Sequence, residues 1–217
     1  MVIQTLYNNL KDKTRILTSK EIVCVTHIPG GVTVQAKDGS TYTGDILIGA
    51  DGIHSTVRRE MWRLADSVHP GYFKCSEREA VRTEYCCIFG ISAATPLFTK
   101  TAQYVLGQGH SYLLVSAPGN RIYWFLFKKL QNAVHGLYDR IPRYTSAERD
   151  TLATSHANDM LGDGLCFGEL YKLKLTATLQ ALPEYVFAKW HYGRIITIGD
   201  AAHKVPTAMS SSSTSPY

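Results

Sequence analysis

Apolar residues at Val2, Ile3, Leu6, Tyr7 and Leu10 recur at three- and four-residue intervals, the spacing of one helix face, and Lys11 and Lys13 suit the C-terminal end of that helix. The pattern then changes. From Glu21 to Gly49 the string EIVCVTHIPGGVTVQAKDGSTYTGDILIG reads as short strands, joined at Pro29-Gly30-Gly31 and at Asp38-Gly39. Its last apolar run, Ile46-Leu47-Ile48, has no polar alternation, as expected of a parallel strand covered on both faces.

Further along, YCCIFGIS, AQYVLG, SYLLVSA and RIYWFLFKK, all between Tyr85 and Leu130, predict a separate antiparallel sheet with a face to offer a large ligand. Pro118-Gly119-Asn120 turns the chain between the last two. SAERDTLATSHANDML predicts a helix capped by Ser146 and ended by Gly162 to Gly164. The stretch from Phe167 to Leu182 gives no clear period. A β-branched strand follows at Ile195 to Ile198, and the final TAMSSSSTSPY is a polar tail expected to be disordered.

Two strand ends carry the chemistry. After Ile48, Gly49 and Gly52 allow close approach of a ligand to the backbone, and Ser55 or Thr56 can cap a helix whose free N–H groups suit a phosphate or pyrophosphate. Asp51 at such an anion site must serve a hydroxyl, a backbone donor or a water. GRIITIGDAAHKVP repeats this construction: a strand, then Gly199-Asp200, then the small pair Ala201-Ala202, which could start a helix beneath a ligand. Taken alone, Asp51-Gly52 is an ordinary turn; the second motif of like construction shifts the balance toward a sugar-phosphate site.

Composition excludes several classes. An apolar share of 45% with 11% aromatic residues describes a chain that folds. The net charge of +5 is spread over scattered lysines and arginines, which argues against nucleic acid. Five cysteines without a CxxC pair are expected as free thiols in a reducing compartment, and no apolar run is long enough to span a bilayer, so a cytoplasmic protein is expected. Eight histidines show neither HxH nor HxxxH spacing, so no metal is expected. GQGHS at Gly107 to Ser111 lacks the form of a nucleophile elbow. Trp190 and Tyr192 read as core aromatics.

The paired motifs, about 150 residues apart, resemble the DG and GD motifs of the class A flavoprotein monooxygenases, relatives of p-hydroxybenzoate hydroxylase. VRREMWRLAD, PGYF, TEYCCIFGIS, YWFLFKK, IPRYT and YVFAKWHYGRIITIGDAAHKVP extend the likeness to the fungal FAD-dependent enzymes of meroterpenoid and indole-diterpene pathways, over nearly all of Met1 to Pro206. The resemblance implies an α/β + β fold: an incomplete, Rossmann-like FAD-binding domain of the glutathione-reductase type with an inserted antiparallel substrate-binding sheet. On that view residues 1–75 and 183–206 belong to the FAD-binding domain, 76–182 to the substrate sheet and helix, and 207–217 to the tail.

The same resemblance implies FAD, NADPH and O₂ as reactants, with an apolar terpenoid or prenylated substrate receiving one oxygen as epoxide or hydroxyl. It assigns Asp51, with Gly52, to the FAD pyrophosphate and NADPH use, Arg58 to support of the DG loop, and Asp200, with Gly199 and Ala201, to the ribityl chain. Pro206 falls near the isoalloxazine, and Tyr112 is the candidate catalytic hydroxyl, in competition with Tyr104; His203, adjacent to the GD motif, is a candidate flavin-site residue, with a surface or packing role as the alternative. The family's opening GxGxxG turn has no counterpart, and the family's Gly-rich continuation is not matched after Thr207, so a truncated chain is expected. A catalytically silent remnant and a flavin-dependent prenyl reductase are the alternatives.

Overall fold

In the computed structural model residues 2–204 are described; Pro206 and the polar tail expected after it lie outside the described residues. The chain opens with α1 (Val2–Asn9), then β1 (Ile22–Ile28), β2 (Gly31–Ala36), β3 (Thr41–Gly44), β4 (Leu47–Gly49) and α2 (Thr56–Val68). Next come α3 (Ser76–Glu79), β5 (Arg82–Ala93), β6 (Ala102–Gly107), β7 (His110–Ala117), β8 (Arg121–His135) and α4 (Ser146–Ser155). The last elements are β9 (Met160–Gly162), β10 (Leu165–Cys166), α5 (Phe167–Lys172), β11 (Lys174–Val186), β12 (His191–Tyr192), β13 (Ile195–Thr197) and β14 (His203–Lys204). They group into two compact units: Met1–Phe73 with Lys189–Ala202, and Lys74–Ala188 with the segment from His203.

In the first unit β1, β2 and β3 form an antiparallel sheet, with Gly30 and Gly39 supplying the positive φ that its turns require. A second sheet has the order β12-β13-β4, and β13 runs parallel to β4. Helix α2 buries Val57, Met61, Trp62 and Ala65. Its Glu60 accepts from the Val25 backbone N–H at 3.1 Å, while Arg63, paired with Glu60, donates to the Val25 carbonyl at 3.0 Å. One residue of β1 is thus held at both backbone groups by α2. The expected cover on both faces of the Ile46–Ile48 run is not found: Ile46 and Ile48 are 64% and 59% exposed.

The second unit is a six-stranded sheet of order β14-β11-β5-β8-β7-β6, antiparallel at every step. Pleating sends alternate residues to opposite faces. One face carries Ile88, Leu126, Tyr112 and Leu114, buried with Phe167 and Leu170 of α5 and Ala153 of α4. Gly90 belongs to this face because Trp124 of the neighbouring strand lies across it: a Cβ there would sit 1.9 Å from the indole. The indole N–H donates to Ser92 Oγ, which donates to the Leu170 carbonyl, so the sheet and α5 share one buried polar chain.

The other face holds a row set by strand register, Thr178, Phe89, Phe125, Leu113 and Tyr104, one from each of five adjacent strands. Phe89 meets Phe125 edge-on and Phe125 stacks with Phe127, while Tyr104 and Leu106 stay 58% and 65% exposed. This is the open apolar face anticipated from the strand runs.

Three local expectations change: α4 ends at Ser155 with His156 as its C-cap, so the residues expected to continue it to Gly162 form a turn and enter β9. Thr145, not Ser146, caps α4, through a reciprocal box in which Thr145 accepts from the Glu148 N–H and Glu148 accepts from the Thr145 N–H. Phe167 to Leu182 resolves into a short helix and most of β11, whose Pro183 sits at a register irregularity beside β5, where a missing N–H is tolerated.

Candidate functional site

Strands β4 and β13 pair in parallel with Gly49 opposite Thr197, and the Ile198 N–H donates to the Gly49 carbonyl at 2.9 Å. The DG and GD turns therefore leave from the carboxyl ends of two adjacent parallel strands, the end at which open α/β sheets bind ligands. Gly49 is a close-approach glycine: a Cβ there would lie 2.7 Å from Val57 Cβ, so its absence lets α2 seat against the strand.

Arg58, 1% exposed, joins the two turns. Its guanidinium donates to the Ala201 carbonyl at 2.8 Å and to the Ile53 carbonyl at 2.5 Å, and it lies 5.6 Å from the Trp62 ring. The sequence-based role of Arg58, support of the DG loop, understates this contact set, which reaches the GD turn as well.

Asp51 is used within the chain. One carboxylate oxygen accepts from Ser55 Oγ at 2.5 Å and the other from the Val57 N–H at 3.0 Å, while Ser55 Oγ accepts from the Arg58 N–H. Two of the donors at the start of α2 that the sequence suggested for a phosphate, the Val57 and Arg58 N–H groups, are thus met by Asp51 and Ser55, a double cap of the helix. Ser55, rather than Thr56, is the N-cap.

Gly52 (φ +77°) and Gly199 (φ +57°) have no heavy atom within 4 Å of where a Cβ would stand, so both backbones are bare. Asp200 is exposed in a 3₁₀ turn, Gly199–Ala201, and Ala201 is buried beneath it. The helix expected to start at Ala201 is replaced by this turn and by β14, in which His203 pairs with Val186 in the second unit's sheet. Tyr192 is buried as expected, but Trp190 is 37% exposed.

In the second unit Tyr112 is buried, and its hydroxyl donates to Asp159 Oδ2 at 2.7 Å. Burial, reinforced by the Asp159 carboxylate, pushes the Tyr112 hydroxyl well above the ordinary phenol range. Tyr104 stands on the opposite, open face of the sheet. The same Asp159 oxygen lies 3.0 Å from His110 Nε2 and 2.7 Å from His156 Nδ1. Burial raises the Asp159 carboxyl, but the hydrogen bonds from Tyr112 and His156 outweigh it and hold the group below its usual value. The sequence shows only His156 and Asp159 three residues apart; His110 and Tyr112 join them through the fold, so histidine-pair spacing missed the group.

No family model matches the chain. It is 41% identical over 207 residues to the FAD-dependent monooxygenase cle3 of Aspergillus versicolor, covering 94% of this chain and 42% of that protein. It is 36% identical over 206 residues to the FAD-dependent monooxygenase prhF of Penicillium brasilianum, covering 94% and 43%. The chain therefore spans less than half the length of these relatives. Among solved structures, Klebsiella pneumoniae HpxO complexed with FAD and uric acid aligns with a TM-score of 0.65 at 20% identity, over 93% of this chain and 47% of that one. The 2,6-dihydroxypyridine-3-hydroxylase of Arthrobacter nicotinovorans aligns at 0.65 and 17%, over 93% and 53%. These likenesses establish the fold.

Proposed function

We propose, from the premise that this chain is a homologue of the fungal FAD-dependent monooxygenases, that it forms the DG/GD portion and the substrate sheet of an enzyme inserting one oxygen atom of O₂ into an apolar terpenoid or prenylated compound. Residues 1–75 and 183–206 then contribute to an FAD-binding domain of the glutathione-reductase type, and 76–182 to the substrate domain. The observation that carries the reading is the parallel pairing of β4 with β13, which puts two bare-glycine turns and the exposed Asp200 at adjacent strand ends.

The donor set fits FAD. Asp200 would accept from ribityl hydroxyls, and the Gly52 and Gly199 backbones leave room for close approach. Asp51 would act by fixing the start of α2, and Arg58 by holding both turns. Reduced by NADPH, FAD supplies the activation of O₂, while the protein supplies position and dry surroundings.

Phe89, Phe125, Phe127 and Leu113 offer an apolar, aromatic surface suited to a polycyclic skeleton. Tyr112, its proton held to Asp159 beneath that sheet, acts in this reading on the shape of β7. The free thiols, with Cys86 and Cys87 buried, support a reducing, cytoplasmic setting. No helix among the described residues is long and apolar enough to cross a membrane.

The test is titration of FAD into the purified chain, followed by flavin fluorescence and absorbance. Saturable binding that Asp200→Ala weakens at least tenfold is expected; a chain that stays colourless at millimolar FAD sinks the reading and favours a silent remnant. With NADPH present, incorporation of ¹⁸O₂ into a terpenoid product separates an oxygenase from a prenyl reductase, which would saturate a double bond without oxygen.

A further inference from the structure

We propose that His110, His156 and Asp159 form a divalent transition-metal site, of the two-imidazole, one-carboxylate type, on the second unit. Their ligand atoms lie within 4.8 Å of one another, and the three side chains are 19%, 10% and 29% exposed, sheltered yet open to an entering ion. His110 begins β7, His156 is the C-cap residue of α4, and Asp159 immediately precedes β9.

The hydrogen bonding around His110 carries the argument. Its Nδ1 faces the Gln108 carbonyl at 3.2 Å and its Nε2 faces Asp159 Oδ2 at 3.0 Å, so both ring nitrogens point at acceptors. A neutral imidazole has one N–H and can satisfy only one of them. The mismatch is removed either by a second proton or by a cation between Nε2 and the carboxylate. With a cation there, the Nδ1–H to carbonyl bond becomes the familiar outer partner that fixes a ligating histidine.

Three further features prepare the site. Gly107, paired across the hairpin with His110, has no Cβ; one would lie 2.4 Å from His110 Nε2, so glycine lets the ring lie flat over the strand. Asp159 Oδ2 meets three partners, two of them the imidazoles, and the third, the Tyr112 hydroxyl, orients the carboxylate from beneath. Metal bonds of about 2.0–2.2 Å would set tetrahedral ligand atoms about 3.4 Å apart, so the 2.7 and 3.0 Å separations from Asp159 would open by roughly half an ångström while the two imidazole nitrogens, within 4.8 Å of each other, would draw together. Nitrogen and oxygen ligands without sulfur suit Zn²⁺ or Co²⁺, with water completing the shell. The ion would clip the β6–β7 hairpin to the end of α4.

The inference does not depend on flavin chemistry, and its test needs no FAD. The chain, stripped with chelator and kept reduced, is titrated with Zn²⁺ by calorimetry and with Co²⁺ by visible absorption. One equivalent is expected to bind, with a Co²⁺ spectrum of nitrogen and oxygen ligation and a rise in melting temperature. Asp159→Asn and His110→Gln should each weaken binding by at least about tenfold while keeping the wild-type circular dichroism, and the exposed His191→Ala should leave it unchanged. A sulfur-to-cobalt charge-transfer band, undiminished binding in both folded site variants, or no binding at millimolar Zn²⁺ would each overturn the proposal.

Discussion

Arg58 on α2 donates to the carbonyl of Ala201 at 2.8 Å, across 143 positions of sequence, and so ties the DG turn to the GD turn through one buried guanidinium. Replacing Arg58 by Met removes the charge but leaves the Ala201 and Ile53 carbonyls without that donor. Two charge-assisted bonds of roughly 1.5–3 kcal/mol each put the loss at about 3–6 kcal/mol. Arg58→Lys should recover less than half, since one ammonium cannot span both carbonyls with a planar fork. Urea unfolding midpoints measure both; a midpoint unmoved in Arg58→Met would show that the bridge carries no stability.

Asp51 offers a cleaner separation of structural from ligand-binding roles. As a cap on α2 it should cost about 1 kcal/mol when changed to Ala and much less when changed to Asn, which keeps an acceptor for the Val57 N–H. FAD affinity measured on the folded variants then discriminates. If Asp51 acts through the helix, Asn retains wild-type affinity; a tenfold loss in Asp51→Asn would mean that the carboxylate meets the cofactor directly.

The legible parts of this chain were those governed by local rules. The four runs from Tyr85 to Leu130 alternate or cluster apolar residues strongly enough to mark β5 to β8, and the two glycine–aspartate turns stand out because bare strand ends need them. What escaped depends on partners remote in sequence. Ile46 and Ile48 read as buried because periodicity reports hydrophobicity and not the presence of a covering layer. Most of β11 lies in the stretch from Phe167 to Leu182 that gives no clear period, and its pairing with β5 shows only once the partner strand is in place. The meeting of His110 with Asp159 requires the hairpin and the end of α4 to be in place before the two residues are neighbours at all.

Gly90 tests the packing of the second unit. A methyl group at this position would fall 1.9 Å from Trp124 Cζ2, far inside contact distance, on a strand flanked by β8 and β11. Gly90→Ala should destabilise the unit by about 1–3 kcal/mol through overpacking. It should also break the Trp124 to Ser92 hydrogen bond and shift the tryptophan emission. Pairing it with Trp124→Leu should recover part of the loss by vacating the space. Equal stability of Gly90→Ala and wild type in thermal unfolding would contradict the close contact.

Asp159 makes the stability of the metal-free chain depend on pH with a definite sign. Burial opposes its charge, but the Tyr112 and His156 hydrogen bonds prevail, so the folded carboxyl titrates below its ordinary value of 3.8. A group bound more weakly to its proton when folded favours the folded state in its ionised form; that contribution is complete above the unfolded value and disappears as pH falls through the folded one. Glu60, lowered because the Arg63 and Val25 hydrogen bonds outweigh its burial, has the same sign in the first unit. With chelator present, the stability difference between wild type and Asp159→Asn should therefore shrink steadily as the pH falls below about 4. Glu60→Gln should behave alike but independently, the two effects adding because the residues share no partner. Urea midpoints from about pH 5 to pH 3 give the answer: a gap between wild type and Asp159→Asn that widens over that range would reverse the sign and mean that the carboxyl is held protonated by its surroundings.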